Sequence, residues 1–386
     1  MAVAYALTPE QRAFQEKVRT LTREKIAPGA EEREEKAEFP WDMVEALAQN
    51  DLLKINAPKE YGGLGLGLLE NCLAVEEICR ACNNTAVLVI YQANGTFLLM
   101  KAGDTQQKAR YIPEICSGRR IAGFAMTEPG GGSDVAAIKT TAVRRGDGYV
   151  LNGAKRFISS ADAVGLFVIF AKTDPGKGTK GTSAFLVEAD PRKGTPGLTI
   201  TREKLFSMYS SDACWVTIRD LRLPRQGLLG EEGEAFKAAM HMFDYSRPMV
   251  AARAVGTAQG AIDCALGYAR KRNAFGQPIA AFQAIQFMLA DMAAQTEAAR
   301  QLVYMAASHV DENGEHKTLY ASMAKMFASD VAMKVTTDAV QILGGVGVTT
   351  EYPVARLMKD AKILQIVEGT NQIQRMVIAR NLVGRY

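Results

Sequence analysis

One carboxylate near the end of the chain stands among groups able to use it. Glu368 lies in Val367-Glu368-Gly369-Thr370-Asn371-Gln372, after the apolar approach Ile363, Leu364 and Ile366. A carboxyl entering apolar surroundings resists ionising, so its pKa rises toward working pH, as a general base requires. Gly369 lets backbone come close to a ligand, and an N–H there could hold a substrate oxygen. Thr370, Asn371 and Gln372 suit a helix start or a ligand contact. On this stretch alone, a loop carboxylate before a helix cap is the simpler reading, and a base is the alternative.

Other stretches offer matching chemistry. Phe124-Ala125-Met126-Thr127-Glu128-Pro129-Gly130-Gly131-Gly132-Ser133-Asp134 ends a strand in a Gly-rich loop. Its hydroxyls and exposed N–H groups suit a flat heteroaromatic ring or a phosphate, although it also reads as a surface turn. It lacks the GK[ST] of a nucleoside-triphosphate loop. Asp244-Tyr245-Ser246-Arg247-Pro248 reads as the opening of a long helix, either a grip on a polyanionic ligand or an ordinary cap. Arg272 and Phe275, with Gln283 downstream, pair a phosphate ligand with a stacking ring. Gln341 to Gly347 imitates a dinucleotide loop, but it follows a helical pattern instead of a strand.

The elements needed to hold these residues change character twice along the 386 residues. Residues 1–120 read as helices: one from the Thr8-Pro9-Glu10-Gln11 capping box, then Pro40 to Asn50, Leu68 to Ala81, Thr85 to Ala102 and Asp104 to Cys116. Residues 121–228 shift toward period two. Strands are expected at Ile121–Met126, Leu166–Ala171, Ser183–Glu188, Leu198–Thr201 and Cys214–Leu223, with a hairpin turning at Asn152-Gly153. That spacing suits a small barrel or sandwich, and no strand–helix alternation argues for a Rossmann unit. Residues 229–386 return to long amphipathic helices: Arg247 to Lys271, Ala281 to Asp311, Thr318 to Leu343 and Tyr352 to Gly384. The expected architecture is α+β multidomain, helical, then β, then a helical bundle.

Composition narrows the partners. Hydrophobic residues are 48% and charged ones 23%, and a net charge of +4 is too small to argue for nucleic acid. The six cysteines are scattered, and Cys79-x-x-Cys82 has no second pair or nearby His, so no metal site is expected. The first residues carry no signal pattern and no apolar run reaches membrane-span length, so the expected location is cytoplasmic.

The series FAMTEPGGGSD, RFISS, DYSRP, RNAFG, FQAIQ, QILGGVG, TEYPVARLMKDAKI and VEGTNQIQR resembles the acyl-CoA dehydrogenase family in sequence, spacing and order, over nearly the whole chain. The resemblance implies an N-terminal helical domain, a middle β-domain and a C-terminal four-helix domain around one FAD, usually in a homotetramer. It implies that Phe124 to Ser133 is the flavin-ring segment, with Met126, Thr127 and Gly132 at the cofactor and Ser133 at both cofactor and substrate. Phe157, Ile158 and Ser159 stand where the family has Trp-Ile-Thr, which keeps an aromatic face and a hydroxyl. Arg272, Phe275, Gln283, Gln341, Gly344 and Gly345 resemble contacts that a neighbouring subunit makes to FAD. Thr370 and Gln372 match the FAD phosphate region. Asp244, Arg247 and Gly369 match substrate positions.

On the same resemblance Glu368 is the base that takes the α-proton while the β-carbon gives a hydride to the flavin. The product is a trans-2-enoyl-CoA, and the electrons pass to an electron-transferring flavoprotein. Lys204-Leu205-Phe206 departs from the family, which has Gly after Lys-Leu. An acyl-CoA oxidase would be a longer chain, a nitroalkane oxidase would carry Asp at the base, and a non-catalytic flavin-bound interaction protein would have lost these residues. The segment from Thr85 to Met100, expected beside the acyl end, contains no Lys or Arg. A neutral acyl group of short to medium length is therefore expected, with a branch or ring (including an aromatic-pathway substrate) left open.

Overall fold

Local chemistry starts the first helix. The Thr8 hydroxyl accepts the Gln11 N–H at 3.2 Å, the Gln11 side chain accepts the Thr8 N–H at 3.0 Å, and Pro9 presets φ in the first turn. The computed structural model describes residues 6–211 and 213–384. Helices α1 (Pro9–Leu21), α2 (Ala30–Lys36), α3 (Trp41–Gln49), α4 (Leu68–Cys79), α5 (Asn83–Ala102) and α6 (Thr105–Cys116) come first. Strands β1 (Ala122–Ala125), β2 (Thr141–Arg145), β3 (Gly148–Ser159), β4 (Leu166–Lys172), β5 (Thr182–Glu188), β6 (Leu198–Arg202), β7 (Ala213–Pro224) and β8 (Leu228–Leu229) follow. Helix α7 (Ala235–Lys271), a small hairpin of β9 (Asn273–Ala274) and β10 (Gln277–Pro278), and helices α8 (Gln283–Asp311), α9 (Lys317–Leu343), α10 (Val354–Leu364) and α11 (Asn371–Val383) complete the chain.

These elements form two units. The first combines Met1–Glu32, Gly67–Ala86 and Asp244–Tyr386; the second combines Arg33–Leu66 and Val87–Phe243. In the first unit α9 packs along α8, α10 and α11, and α4 packs against α1 and α8. Helix α4 is buried on nearly all sides, including Glu76 and Glu77 at 2% and 1% exposure. Buried acids need partners. Glu76 accepts from Arg300 Nε at 2.7 Å and Tyr304 OH at 2.9 Å; Glu77 accepts from Arg19 at 2.8 Å and Arg80 at 3.0 Å. The Asp311 carboxylate caps α4 by accepting the Leu68 and Leu69 N–H groups, at 2.8 and 3.3 Å. Among the described residues no helix is long and apolar enough to cross a membrane.

The second unit is built on one connected sheet in the order β6-β7-β3-β2-β4-β5-β8, with β1 parallel to β4. Among the described residues its two halves, β6-β7-β3-β2 and β4-β5-β8 with β1, are joined where Thr141 of β2 pairs Lys172 of β4. Strand β4 is buried along its whole length. Leu166, Val168 and Phe170 from it pack with Leu98, Ile112 and Met126 in the unit's core.

Three expectations need correction. The hairpin does not turn at Asn152-Gly153, because β3 runs straight through them. The turn is Gly146-Asp147, between β2, a strand the sequence reading missed, and β3. Asn152 and Gly153 instead mark a bulge, where pairing with β7 shifts register. There the Asn152 side chain bonds Asp220 across the strands, and any side chain at Gly153 would strike Thr140. Next, Asp244 to Pro248 does not open a helix; α7 begins at Ala235 and carries Pro248 in its interior. Proline there removes one backbone bond, to the Asp244 carbonyl, without ending the helix. Last, Tyr352 to Gly384 is two helices, since Glu368 and Gly369 have φ of 56° and 88° and Thr370 caps α11.

Candidate active site

The turn from Gln365 to Thr370 presents Glu368 in the first unit. Left-handed backbone costs a residue with a Cβ about 1–2 kcal/mol, so this turn must be held from outside. Gln374 Nε2 donates to the Glu368 carbonyl at 3.0 Å and to the Gly369 carbonyl at 2.9 Å. Lys325 Nζ donates to the Gly369 carbonyl and to Asn371 Oδ1, both at 2.9 Å. The Asn371 amide donates in turn to Ser329 Oγ at 2.9 Å and Asp330 Oδ1 at 2.7 Å. The turn is thereby tied to α9 and to the first turns of α11.

The Glu368 carboxyl is half-buried. Its Oε1 accepts from Ser246 Oγ of α7 at 3.0 Å; its Oε2 is shielded from solvent and has no hydrogen-bond partner. Burial raises this carboxyl above the usual carboxylate range, opposed by the Ser246 hydrogen bond and by the charges of Arg247, Lys325 and Arg253. The arrangement holds one oxygen in place and leaves the other able to take a proton. Asp244 and Arg247, each 7% exposed, pair at 3.3 Å; Arg247 also reaches Ser322 Oγ at 3.4 Å, and Asp244 accepts from Thr318 at 2.7 Å.

The Gly-rich segment belongs to the second unit. It leaves β1 at Ala125 and is bound to β3: Arg156 N–H donates to the Thr127 carbonyl at 3.0 Å, and Lys155 Nζ to the Met126 carbonyl at 3.2 Å. Glu128 anchors it from below. Its carboxylate accepts from Lys155 Nζ (2.9 Å), Lys139 N–H (2.6 Å), and the Thr140 N–H and hydroxyl (2.9 and 2.6 Å). Burial pulls the Lys155 ammonium down to about 8, with Glu128 opposing. Beyond this anchor Gly132 and Ser133 are exposed, Phe124 and Thr127 are half-buried, and Met126 is buried. Where β3 bulges a second time, Phe157 takes φ of 57° and leaves its ring 51% exposed, with Arg156 stacked over it at 4.7 Å. Ile158 is buried and Ser159 half-buried.

The remaining predicted residues lie in the first unit. Phe275 and Gly276 form the two-residue turn of the β9–β10 hairpin at φ of 50° and 81°, and the Phe275 ring is 96% exposed. It meets Phe282, just before Gln283, edge to face at 6.1 Å. Arg272, Gln283, Gln341, Gly344, Gly345 and Gln372 are exposed, and Thr370 is half-buried as the α11 cap. The structure thus gathers Glu368, Gly369, Thr370 and Arg247 at one turn, and Met126, Thr127 and Phe157 at one sheet end. Sequence reasoning missed Lys325, Gln374 and Lys155. Lys325 and Lys155 meet their partners from distant parts of the chain and Gln374 meets its own from the next turn of chain, and only Lys325, a cation in the apolar stripe of a helix, left a signal that could have been followed. Among the described residues no cluster of His, Cys, Asp and Glu could hold a metal ion.

Comparison with known proteins agrees along the full length. The acyl-CoA dehydrogenase N-terminal, middle and C-terminal domain profiles match residues 8–119, 123–221 and 233–383. A cyclohex-1-ene-1-carbonyl-CoA dehydrogenase of Geobacter metallireducens is 44% identical over 385 residues, covering 98% of this chain and 99% of its own. The butyryl-CoA dehydrogenase structure from Megasphaera elsdenii superposes with a TM-score of 0.94 at 37% identity, covering 99% of this chain and 100% of that one. A glutaryl-coenzyme A dehydrogenase bound to glutaryl-CoA gives a TM-score of 0.95 at 34% identity, covering 99% and 98%. The chain belongs to the acyl-CoA dehydrogenase family.

Proposed function

We propose that the enzyme removes the α- and β-hydrogens of a neutral short- to medium-chain acyl-CoA, branched and cyclic chains included, to give the trans-2-enoyl-CoA. The observation that carries this reading is the Glu368 carboxyl, half-buried on a clamped turn, with Oε2 available for the α-proton. Bound FAD supplies the acceptor for the β-hydride. The exposed Phe157 ring, the Thr127 and Ser133 hydroxyls and the open backbone at Gly130 and Gly131 fit a flat ring with polar edges. An apolar side chain as bare as Phe275 fits a cofactor or subunit surface that covers it, with Arg272, Gln283, Gln341, Gly344 and Gly345 beside a neighbouring subunit's FAD. Thr370 and Gln372 complete the cofactor set, and Asp244, Arg247, Ser133 and Gly369 the substrate set.

An α-proton next to a thioester is weakly acidic. The Glu368 N–H, hydrogen-bonded to the thioester oxygen, would stabilise the developing enolate, a donor worth roughly 3–4 kcal/mol in comparable sites. Ser246 keeps the carboxylate aimed. In the same reading the protein is a cytoplasmic homotetramer that passes electrons to an electron-transferring flavoprotein. Its parts divide at 120/121 and 228/229, which the matched segments support. The relative named for a cyclohexene substrate favours a ring as one form of the acyl group.

Glu368→Gln tests the reading. It keeps the size of the side chain and removes the proton acceptor, so FAD and acyl-CoA binding should persist while flavin reduction falls by several orders of magnitude. Near-normal reduction would assign the base elsewhere. A colourless wild-type protein that cannot be reconstituted with FAD would remove the cofactor.

A further inference from the structure

We infer that Lys325 is a positioning residue that, besides clamping the turn, sets the proton affinity of Glu368 through its charge. The inference rests on reading Glu368 as the base. Lys325 is fully buried in α9, and its Nζ binds the Gly369 carbonyl and Asn371 Oδ1. The Gly369 carbonyl also accepts from Gln374 Nε2 at 2.9 Å, so that oxygen keeps a partner without the lysine. Beyond these bonds, the lysine brings a buried positive charge to the carbonyl of the residue that follows Glu368.

The neighbouring charges leave that role open. Helix α7 contributes Arg247, offset by Asp244 at 3.3 Å, and Arg253. Helix α9 contributes Asp330, which α11 occupies with Arg375 at 3.1 Å and the turn occupies with Gln365 at 2.7 Å. Burial pulls Lys325 down to about 7; Glu368 opposes this, Arg247 adds to it and Asp330 opposes it. The sign for stability follows. The unfolded chain takes up the lysine proton below about 10.5, whereas the folded chain does so only near 7. Folding therefore loses stability as pH falls through that window, and the loss is complete below it.

The test uses full-length, FAD-loaded protein as wild type, Lys325→Met and Lys325→Arg. The Glu368 carboxyl is titrated by infrared difference spectroscopy on glutamate-labelled protein, with Glu368→Gln as the blank. In Lys325→Met the titration should move up by about one pH unit, the effect of losing a nearby opposite charge. The acid limb of flavin reduction should follow it upward, because the base must be ionised to act. Lys325→Arg should titrate as wild type. An unmoved Glu368 titration in Lys325→Met overturns the inference, as does a shift in Lys325→Arg as large as in Lys325→Met. If wild type reduces no acyl-CoA and the titration still moves, this inference stands and the assignment of the base falls.

Discussion

Helix α7 carries two glycines at which a side chain would strike α4 or the residue after it. A methyl on Gly260 would lie 2.2 Å from the Arg80 carbonyl oxygen and 2.9 Å from its carbon; one on Gly256 would lie 2.2 Å from the Glu76 carbonyl oxygen. Relaxed contacts between such atoms need about 3.5 Å, so either methyl demands roughly 1 Å of helix displacement. Glu76 and Arg80 sit in the buried ion-pair network and give way poorly. Gly267, further along the same helix, has open space where its methyl would go. Overpacking costs about 1–3 kcal/mol, and Gly to Ala in a helix returns about 1 kcal/mol. Gly260→Ala should therefore lose up to about 2 kcal/mol while Gly267→Ala gains up to about 1 kcal/mol. Denaturant midpoints of the two variants, measured on FAD-loaded protein, should fall on opposite sides of wild type. If Gly260→Ala is as stable as Gly267→Ala, the helices are not in the close contact described.

Glu128→Gln tests the anchor beneath the Gly-rich segment. Burial raises the Glu128 carboxyl, but Lys155, Thr140 and the Lys139 N–H outweigh it and hold the group below its ordinary value of 4.5. A depressed carboxyl adds stability above pH 4.5 that is lost as pH falls, so the variant should be less stable at pH 7 and lose less between pH 5 and 3; parallel melting curves against pH would contradict this. For the acyl group, kcat/KM should be higher for butyryl-, hexanoyl-, isobutyryl- or cyclohexanecarbonyl-CoA than for glutaryl-CoA. Burying a second carboxylate without a cation costs several kcal/mol, and Gln92 is already committed to the carbonyls of Ile115 and Arg120 and the N–H of Ala122. Glutaryl-CoA as the best substrate would overturn that argument.

What could be read from the sequence was what short-range chemistry decides. The Thr8 to Gln11 capping box, the buried β4 and the Glu368-Gly369 turn each announce themselves within a few residues. Asn152-Gly153 misled because the same pair serves a bulge as well as a tight turn, and only the partner strand decides between them. Pro248 misled because an interior proline costs one hydrogen bond, about 3 kcal/mol, which a long buried helix can absorb. Lys325 and Gln374 were invisible for another reason. Their targets are carbonyl oxygens in a turn whose shape the sequence does not state.

The way the first unit is threaded bears on how it is made. Its opening helices, α1 and α4, leave the ribosome early, yet the groups that satisfy them come last: Asp311 for the α4 N-terminus, Arg300 and Tyr304 for Glu76 of α4, and the Tyr304 hydroxyl for Gln15 of α1. Most of the second unit, Val87–Phe243, lies between them in synthesis. Domains generally fold as they emerge, so the second unit is free to fold while α4 waits with Glu76 unpaired and its apolar faces bare. A nascent chain halted before residue 300 would hold a sticky, half-made surface, the kind of segment that holdase chaperones bind. Closing loops of more than 200 residues is also slow, which makes the return of α8 the step to which refolding of this enzyme is most sensitive.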